Sequence, residues 1–260
     1  MNHISVVINT FNAERHLERV LRSVKDFDEI LICDMHSMDR TIAIAREYGC
    51  TIVYHDHTGF VEPARNFAIQ SARHPWVLVI DADEIVPSSL KEYLYVRTAS
   101  PDCPDGIRIP MKNYFMGRFM HSDYPSLHLR FFRKEKTYWP PFVHAHPQVQ
   151  GRIETIPGKR KELALVHLAN DSVATNIRKT NQYTENELAR RKTKKYPFCS
   201  LMGETFFRFL KLYLFKGGYK DGKAGLVYCG LNAFYKYVTI AKIWEMRVRK
   251  EDIDPELIER

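Results

Sequence analysis

The chain has 260 residues, of which 45% are hydrophobic and 27% charged, and a formal net charge of +8. That length accommodates one large domain or two small ones around a real core, and the composition argues against a disordered chain. The positive excess points to an anionic partner: nucleic acid, a phosphorylated substrate or an anionic membrane surface. Five scattered cysteines (Cys33, Cys50, Cys103, Cys199 and Cys229) without C-x-x-C spacing argue against a disulfide framework or a cysteine zinc site, and fit a reducing cytosol. Met1-Asn2-His3 enters directly into an apolar segment, so no signal peptide is expected. No run of about eighteen apolar residues marks a membrane-spanning helix.

In chain order, Ile4 to Ile8 reads as a buried strand followed by a turn at Asn9-Thr10-Phe11-Asn12. Leu17, Val20, Leu21 and Val24 recur at spacings of three and four, the mark of an amphipathic helix. Glu29 to Cys33 forms a second strand ended by Asp34, and Ser37 to Thr41 can cap a helix that stops at Gly49. Thr51 to Tyr54 is a third strand, Pro63 to Ala72 a third helix, and Trp76 to Ile80 a fourth strand. Such alternation predicts an α/β fold with a parallel, open sheet. Ligands bind such sheets at the carboxyl ends of their strands, where Thr10, Asp34 and Asp81 to Asp83 should gather. The first loop has neither G-x-G-x-x-G nor a P-loop lysine, which demotes dinucleotide and P-loop readings.

Asp81-Ala82-Asp83-Glu84 follows the fourth strand directly. Three acids at a buried strand end repel one another and are costly to desolvate unless a cation sits among them. Hard oxygen ligands of this kind suit Mg²⁺ or Mn²⁺, held by one or two carboxylates together with substrate phosphates. A solvated acidic turn is the plain alternative.

Four segments in this order resemble the family 2 glycosyltransferases of the GT-A fold, which use nucleotide-sugar donors. They are Ser5 to Asn12; Cys33 to Thr41, similar to D-x-G-S-x-D-x-T with His36 where Gly is usual; Pro63-Ala64-Arg65-Asn66; and Asp81-Ala82-Asp83. Over nearly the whole chain the sequence is similar to the lipopolysaccharide-core β-1,4-glucosyltransferase-like subgroup, including His144, His167 and the segment Gly217 to Gly222. The resemblance implies that Thr10, Phe11 and Asn12 line a base pocket and that Asp34 accepts a hydrogen bond from the base. It also implies that Arg65 lies near the base or diphosphate, Asp81 faces the ribose or sugar, and Asp83 binds the metal. His167, and His144 as one possibility, would complete the metal site. Each position has a plainer reading too: a helix cap for Asp34, core for Phe11, a surface ion pair for Arg65, and a strand-end histidine for His167.

Leu90 to Val96 predicts a short helix, and Gly106 to Met111 and Leu127 to Arg133 predict strands of an acceptor-side sheet. Phe142 to Pro147 then falls where related proteins read V-H-E, but Ala145 takes the place of Glu. Inverting transfer needs a base for the acceptor hydroxyl, so the candidates become Asp123, Glu84, His144 and His146. His144 and His146 would share a face if this segment were a strand, as metal ligands or as an ordinary sheet pair.

Leu163 to Leu168 is the last predicted strand. From Asn176 the chain reads as helical and basic, with Arg178, Lys179, Arg190, Arg191, Lys192, Lys194 and Lys195. Aromatic residues from Phe206 to Phe215 alternate with Arg208, Lys211 and Lys216, and Ala224 to Ala241 is largely apolar. Basic, aromatic amphipathic helices suit the interface of an anionic bilayer. The expected layout is therefore a GT-A domain over residues 1–170 (a nucleotide-sugar half, 1–86, and an acceptor half, 87–170) and a membrane- or partner-associated helical region over 171–260.

Together these readings predict a metal-dependent inverting hexosyltransferase on the cytoplasmic face of the membrane. Its donor is a nucleoside diphosphate sugar, UDP-linked, and its acceptor a lipid-linked or lipopolysaccharide-type saccharide. A nucleotidyltransferase would want a Gly-rich, basic first loop, which Asn9 to Asn12 does not supply. A non-catalytic nucleotide-sugar-binding relative is the other alternative, given Ala145. No nucleic-acid partner is expected, because no recognition motif accompanies the charge.

Overall fold

The computed structural model describes residues 2–57, 59, 61–141, 145–168, 172–191 and 194–248. The chain divides into two compact units, Met1–Asn113 with Tyr124–Ala169, and Tyr114–Asp123 with Asn170–Arg260.

The first unit opens with β1 (Ile4–Thr10), α1 (Glu14–Val24), β2 (Glu29–Asp34), α2 (Thr41–Glu47), β3 (Thr51–Tyr54), α3 (Glu62–Ser71) and β4 (Trp76–Asp81). It continues through β5 (Glu84–Ile85), α4 (Ser88–Ala99) and β6 (Gly106–Lys112). A hairpin of β7 (Tyr114–Phe115) and β8 (Arg118–Phe119) belongs to the second unit. The first unit then resumes with β9 (Ser126–Arg133), β10 (Thr137–Tyr138), β11 (Gln148–Val149), β12 (Ile153–Thr155) and β13 (Leu165–His167).

Among the described residues, a nine-stranded mixed sheet runs β3-β2-β1-β4-β9-β6-β13-β5, with β12 beside β6. The first four strands are mutually parallel, as the alternation predicts, and β9 turns antiparallel against β4. The pleat sorts the side chains by period two. Ile4, Val6, Ile8, Leu78 and Ile80 pack with Leu17, Val20, Leu21 and Val24 of α1. Val7, Leu31, Val77 and Val79 meet Ala64, Ala68 and Ile69 of α3 on the other face. This sorting positions the site: Asp81 continues the Val77–Val79 row toward α3, which carries Arg65.

Three local expectations change. The strand β1 includes Asn9 and Thr10, because Thr10 pairs in register with Asp34 and Asn9 with Asp81. The strand β3 lies at the sheet edge and is only partly buried. Ala145 to Pro147 form irregular backbone rather than a strand, so period-two reasoning does not apply to His146; Phe142, Val143 and His144 lie outside the described residues.

The second unit is helical: α5 (Val173–Arg191), α6 (Ser200–Leu210) continued by a π-turn at Lys211–Phe215, and α7 (Gly222–Val248). Ala224, Gly225, Cys229, Ala233, Ile240 and Ile243 form the buried face of α7. The Gly217–Gly222 turn fits so closely on α7 that a Cβ on Gly225 would lie 2.0 Å from the Gly218 carbonyl oxygen. That turn presents buried Asp221 to His121, whose backbone N–H donates at 2.9 Å and whose ring Nδ1 lies 2.5 Å from the carboxylate. Among the described residues, no helix is long and apolar enough to cross a membrane. Lys192, one of the basic run, lies outside the described residues.

Candidate active site

The carboxyl ends of β1, β2 and β4 form one rim. Thr10 Oγ1 donates to Asp34 Oδ2 at 2.7 Å, and Ser37 donates its hydroxyl to the same oxygen at 2.6 Å and its N–H to Oδ1 at 2.8 Å. Both Thr10 and Asp34 are buried, so Asp34 ties the loop after β2 to β1. It caps Ser37, not the first turn of α2; there Asp39 accepts the Thr41 N–H instead. Asn12 has φ 49 and His36 φ 60, the left-handed region that favours glycine, which accounts for the usual Gly at position 36. Asn12 bridges the two loops, donating its N–H to Ser37 Oγ and accepting the Met38 N–H on Oδ1. Phe11 is 40% exposed and stacks on His57 with ring centroids 4.0 Å apart, so His57, which sequence reasoning left without a role, joins this rim.

Four charged side chains lock the strand end. Asp81 Oδ1 accepts from Arg65 Nη2 at 2.8 Å and Oδ2 from Arg130 Nη2 at 2.6 Å. Arg130 Nη2 also reaches Glu84 Oε1 at 2.6 Å, and Glu84 Oε2 accepts the Asp81 N–H at 3.0 Å. Arg65 and Arg130 are buried, as is Glu84, and Arg65 stacks on Trp139 with its guanidinium carbon 4.4 Å from the ring centroid. Burial opposes ionisation of Asp81, but Arg130 and Arg65 together hold its carboxyl well below the usual range. Burial pushes the Glu84 carboxyl up to about 7, with Arg130 pulling against it and Asp81 adding to it. Arg65 is thus a buried partner of Asp81 rather than a surface pair, and Glu84 is an internal strut.

Asp83 stands outside this lock. Its Oδ2 lies 3.3 Å from His167 Nε2, and its carbonyl accepts the Leu168 N–H at 2.7 Å. The antiparallel pairing of β13 with β5 sets His167 opposite Glu84 and so beside Asp83. His167 Nδ1 lies 2.9 Å from Asn113 Oδ1, which fixes the proton on Nδ1 and leaves Nε2 toward Asp83. Burial works against the imidazolium, but Asp83 above all raises the His167 pKa. His16 of α1 also feels Asp83; burial and Arg15 lower its pKa, which favours a neutral ring at the rim.

Other sequence-derived candidates fall elsewhere. Asp123 belongs to the second unit and bonds to Tyr228. Ala145 is buried in the α3-side core, and its carbonyl accepts the Trp139 Nε1–H at 3.1 Å. Exposed His146 lines a polar cavity of about 210 Å³ together with Arg65, His128, Arg130, Trp139 and Ala145. His144 lies outside the described residues.

Residues 5–149, more than half of the chain, match the family described as Glycosyl transferase family 2. The chain belongs to that family. This glycosyltransferase is 26% identical over 258 residues to the lipopolysaccharide core biosynthesis glycosyltransferase LpsC of Rhizobium meliloti, covering 95% of the chain and 94% of that relative. It is 24% identical to an uncharacterized glycosyltransferase of Rickettsia felis, over 97% of the chain and 93% of the relative. Among solved structures it resembles the mannosyltransferase PcManGT of Pyrobaculum calidifontis, determined with GDP-Man and Mn²⁺. The TM-score is 0.50 at 14% identity, covering 95% of the chain and 75% of the other, a likeness of fold. The α/β sheet is the GT-A arrangement expected from the sequence.

Arg130, His16 and Asn113 are site residues of this glycosyltransferase that sequence reasoning missed. For Arg130 a signal existed: Leu129, Phe131 and Phe132 around it are apolar on both strand faces, which leaves an arginine nowhere to go but into a buried ion pair.

Proposed function

We propose that this enzyme transfers a hexose from a UDP-linked sugar to a lipopolysaccharide-core type saccharide, with inversion at the anomeric carbon. The single observation that carries the reading is the Asp83–His167 pair beside the Arg-locked strand end. Its similarity to LpsC supports the acceptor class.

The residues present fit a divalent cation. A carboxylate and a neutral imidazole are a donor pair that, with substrate phosphates, completes the kind of site in which such ions are held. The imidazole favours Mn²⁺ over Mg²⁺, and a Mn²⁺ ion accompanies the donor in PcManGT. Asp83 and His167 would hold the ion, which when bound supplies positive charge to the departing diphosphate. The chain's own residues do the rest. Arg65 and Arg130 keep Asp81 ionised and fix the turn that carries Asp83. Thr10 and Asp34 set the floor of the base pocket, and the exposed Phe11 and His57 rings offer a base a stacking surface.

Glu84 is spent on Arg130, and Asp123 on Tyr228. Of the described candidates for proton acceptor, exposed His146 is therefore our choice. The enzyme works at the cytoplasmic face of a membrane, held there by its helical unit. The deciding experiment screens UDP- and GDP-hexoses for hydrolysis and transfer with Mn²⁺ or Mg²⁺, comparing the wild type with Asp83→Ala. Turnover of a donor that is lost in Asp83→Ala supports the reading, and absence of turnover with every donor overturns it. NMR of the product anomeric proton tests inversion, and His146→Ala should lower kcat by about 10² or more.

A further inference from the structure

The helical unit contains a cavity of about 420 Å³ walled by α5, α6, the π-turn and α7. Four cations line it, Arg191, Arg208, Lys211 and Lys236, against two acids, Glu187 and Glu204. Both acids are already engaged. Glu187 accepts from the Tyr235 hydroxyl at 2.8 Å and pairs with Arg191 Nε at 2.8 Å, while Glu204 pairs with Lys236 Nζ at 2.6 Å. Among the described residues, no carboxylate pairs with Arg208 or Lys211, which stand exposed one helical turn apart. The wall therefore holds two cations in surplus, beside ion pairs that already fix its shape.

A second observation concerns what borders the cavity. Met202, Phe206, Phe207, Leu214 and Phe215 are 68%, 63%, 63%, 51% and 81% exposed. Their spacings of four, seven and eight place them along one side of a helix. Phe207 belongs to both features: it lines the cavity and is part of the exposed row. An exposed aromatic row continuous with a cationic cavity matches an amphiphile with an anionic head, and contiguous apolar surface of this kind marks an interaction site. Nucleic acid fits less well, because the surplus is confined to one cavity instead of being spread along a track.

We propose that this cavity is a head-group site for an anionic phospholipid, with Arg208 and Lys211 holding the phosphate and the Phe206–Phe207 row entering the acyl layer. Arginine supplies a forked donor pair for phosphate oxygens and lysine a point charge. The proposal rests on the membrane-surface reading above and adds to it a defined site.

The test is co-sedimentation of the full-length enzyme with vesicles of phosphatidylcholine alone and of phosphatidylcholine with phosphatidylglycerol. Wild type should partition to the mixed vesicles and not to phosphatidylcholine alone. Arg208→Gln/Lys211→Gln should lower that partitioning by about tenfold. A control with the same charge loss at exposed positions outside the cavity wall, Arg178→Gln/Lys223→Gln, should lower it by less than about threefold. Donor hydrolysis measured without vesicles should be equal in all three proteins. Equal losses in the two double variants would overturn the cavity while leaving the membrane reading standing; no partitioning by wild type would overturn both. Release from the vesicles by a single-stranded oligonucleotide, but not by inorganic phosphate at equal ionic strength, would also overturn the lipid assignment in favour of nucleic acid.

Discussion

Asp83 Oδ2 and His167 Nε2 face each other at 3.3 Å, and Asn113 Oδ1 holds the far nitrogen of the same ring at 2.9 Å. The three side chains come from the turn after β4, the end of β13 and the residue after β6. The pairing of β13 with both β5 and β6 is what assembles them.

Removing either end of this chain of contacts has a different signature. His167→Ala should lose most donor turnover at any Mn²⁺ concentration. Asn113→Ala keeps the ligand but frees its ring, and the Mn²⁺ needed for half-maximal activity should rise by about 10- to 100-fold. A Mn²⁺ titration of hydrolysis distinguishes the two, and an unchanged midpoint in Asn113→Ala would exclude the orienting role.

Arg130 is the only described side chain that binds both Asp81 and Glu84. Arg130→Met leaves two carboxylates beside a single guanidinium, Arg65, and should cost about 3–5 kcal/mol of stability by urea denaturation. Adding Glu84→Gln should recover part of the loss, because one of the stranded charges is then gone. Non-additivity in the double-variant cycle is the expected sign of contact.

Two buried groups give stability opposite pH trends. Burial, with Arg130 and despite Asp81, lowers His128 to about 4, below the unfolded value of 6.5. The folded state thus prefers the neutral ring, and stability is lost as pH falls from about 6.5 toward 4. Glu84 is raised to about 7 from 4.5, so the folded state prefers the protonated carboxyl and stability is lost as pH rises through that interval. In thermal melts across pH, His128→Asn should flatten the acid side and Glu84→Gln the neutral side. Swapped effects would contradict the assignment.

Gly225→Ala probes the seat of the glycine-rich turn. The new methyl would lie 2.0 Å from the Gly218 carbonyl oxygen and 2.7 Å from the Asp221 Cβ, so backbone must move. A cost of about 1–3 kcal/mol is expected. Gly230→Ala on the same helix meets nothing within 4 Å and should be neutral or slightly stabilising.

Much of the first unit is legible in sequence because its strands are short apolar runs and its helices keep strict spacing: Leu17, Val20, Leu21 and Val24 are all buried where the period puts them. The rim residues Thr10, Asp34 and Asp81 follow from strand ends. What sequence hides is pairing at long range. Nothing near Asp123 announces that its partner is Tyr228, or that β7 and β8 pack with α7. His146 was misplaced on a strand because two histidines two apart mimic sheet alternation, although prolines at 140, 141 and 147 bracket the segment and oppose a continuous ladder.

The two aspartates of Asp81-Ala82-Asp83 have parted ways. One is anchored by two arginines, and the other is held by no arginine. Loss of the first threatens the fold, whereas loss of the second should leave an intact protein that has forfeited only its chemistry. Descendants that drift at position 83 can therefore persist as stable, inactive copies, free to be recruited for binding alone, while drift at position 81 is purged at the level of folding.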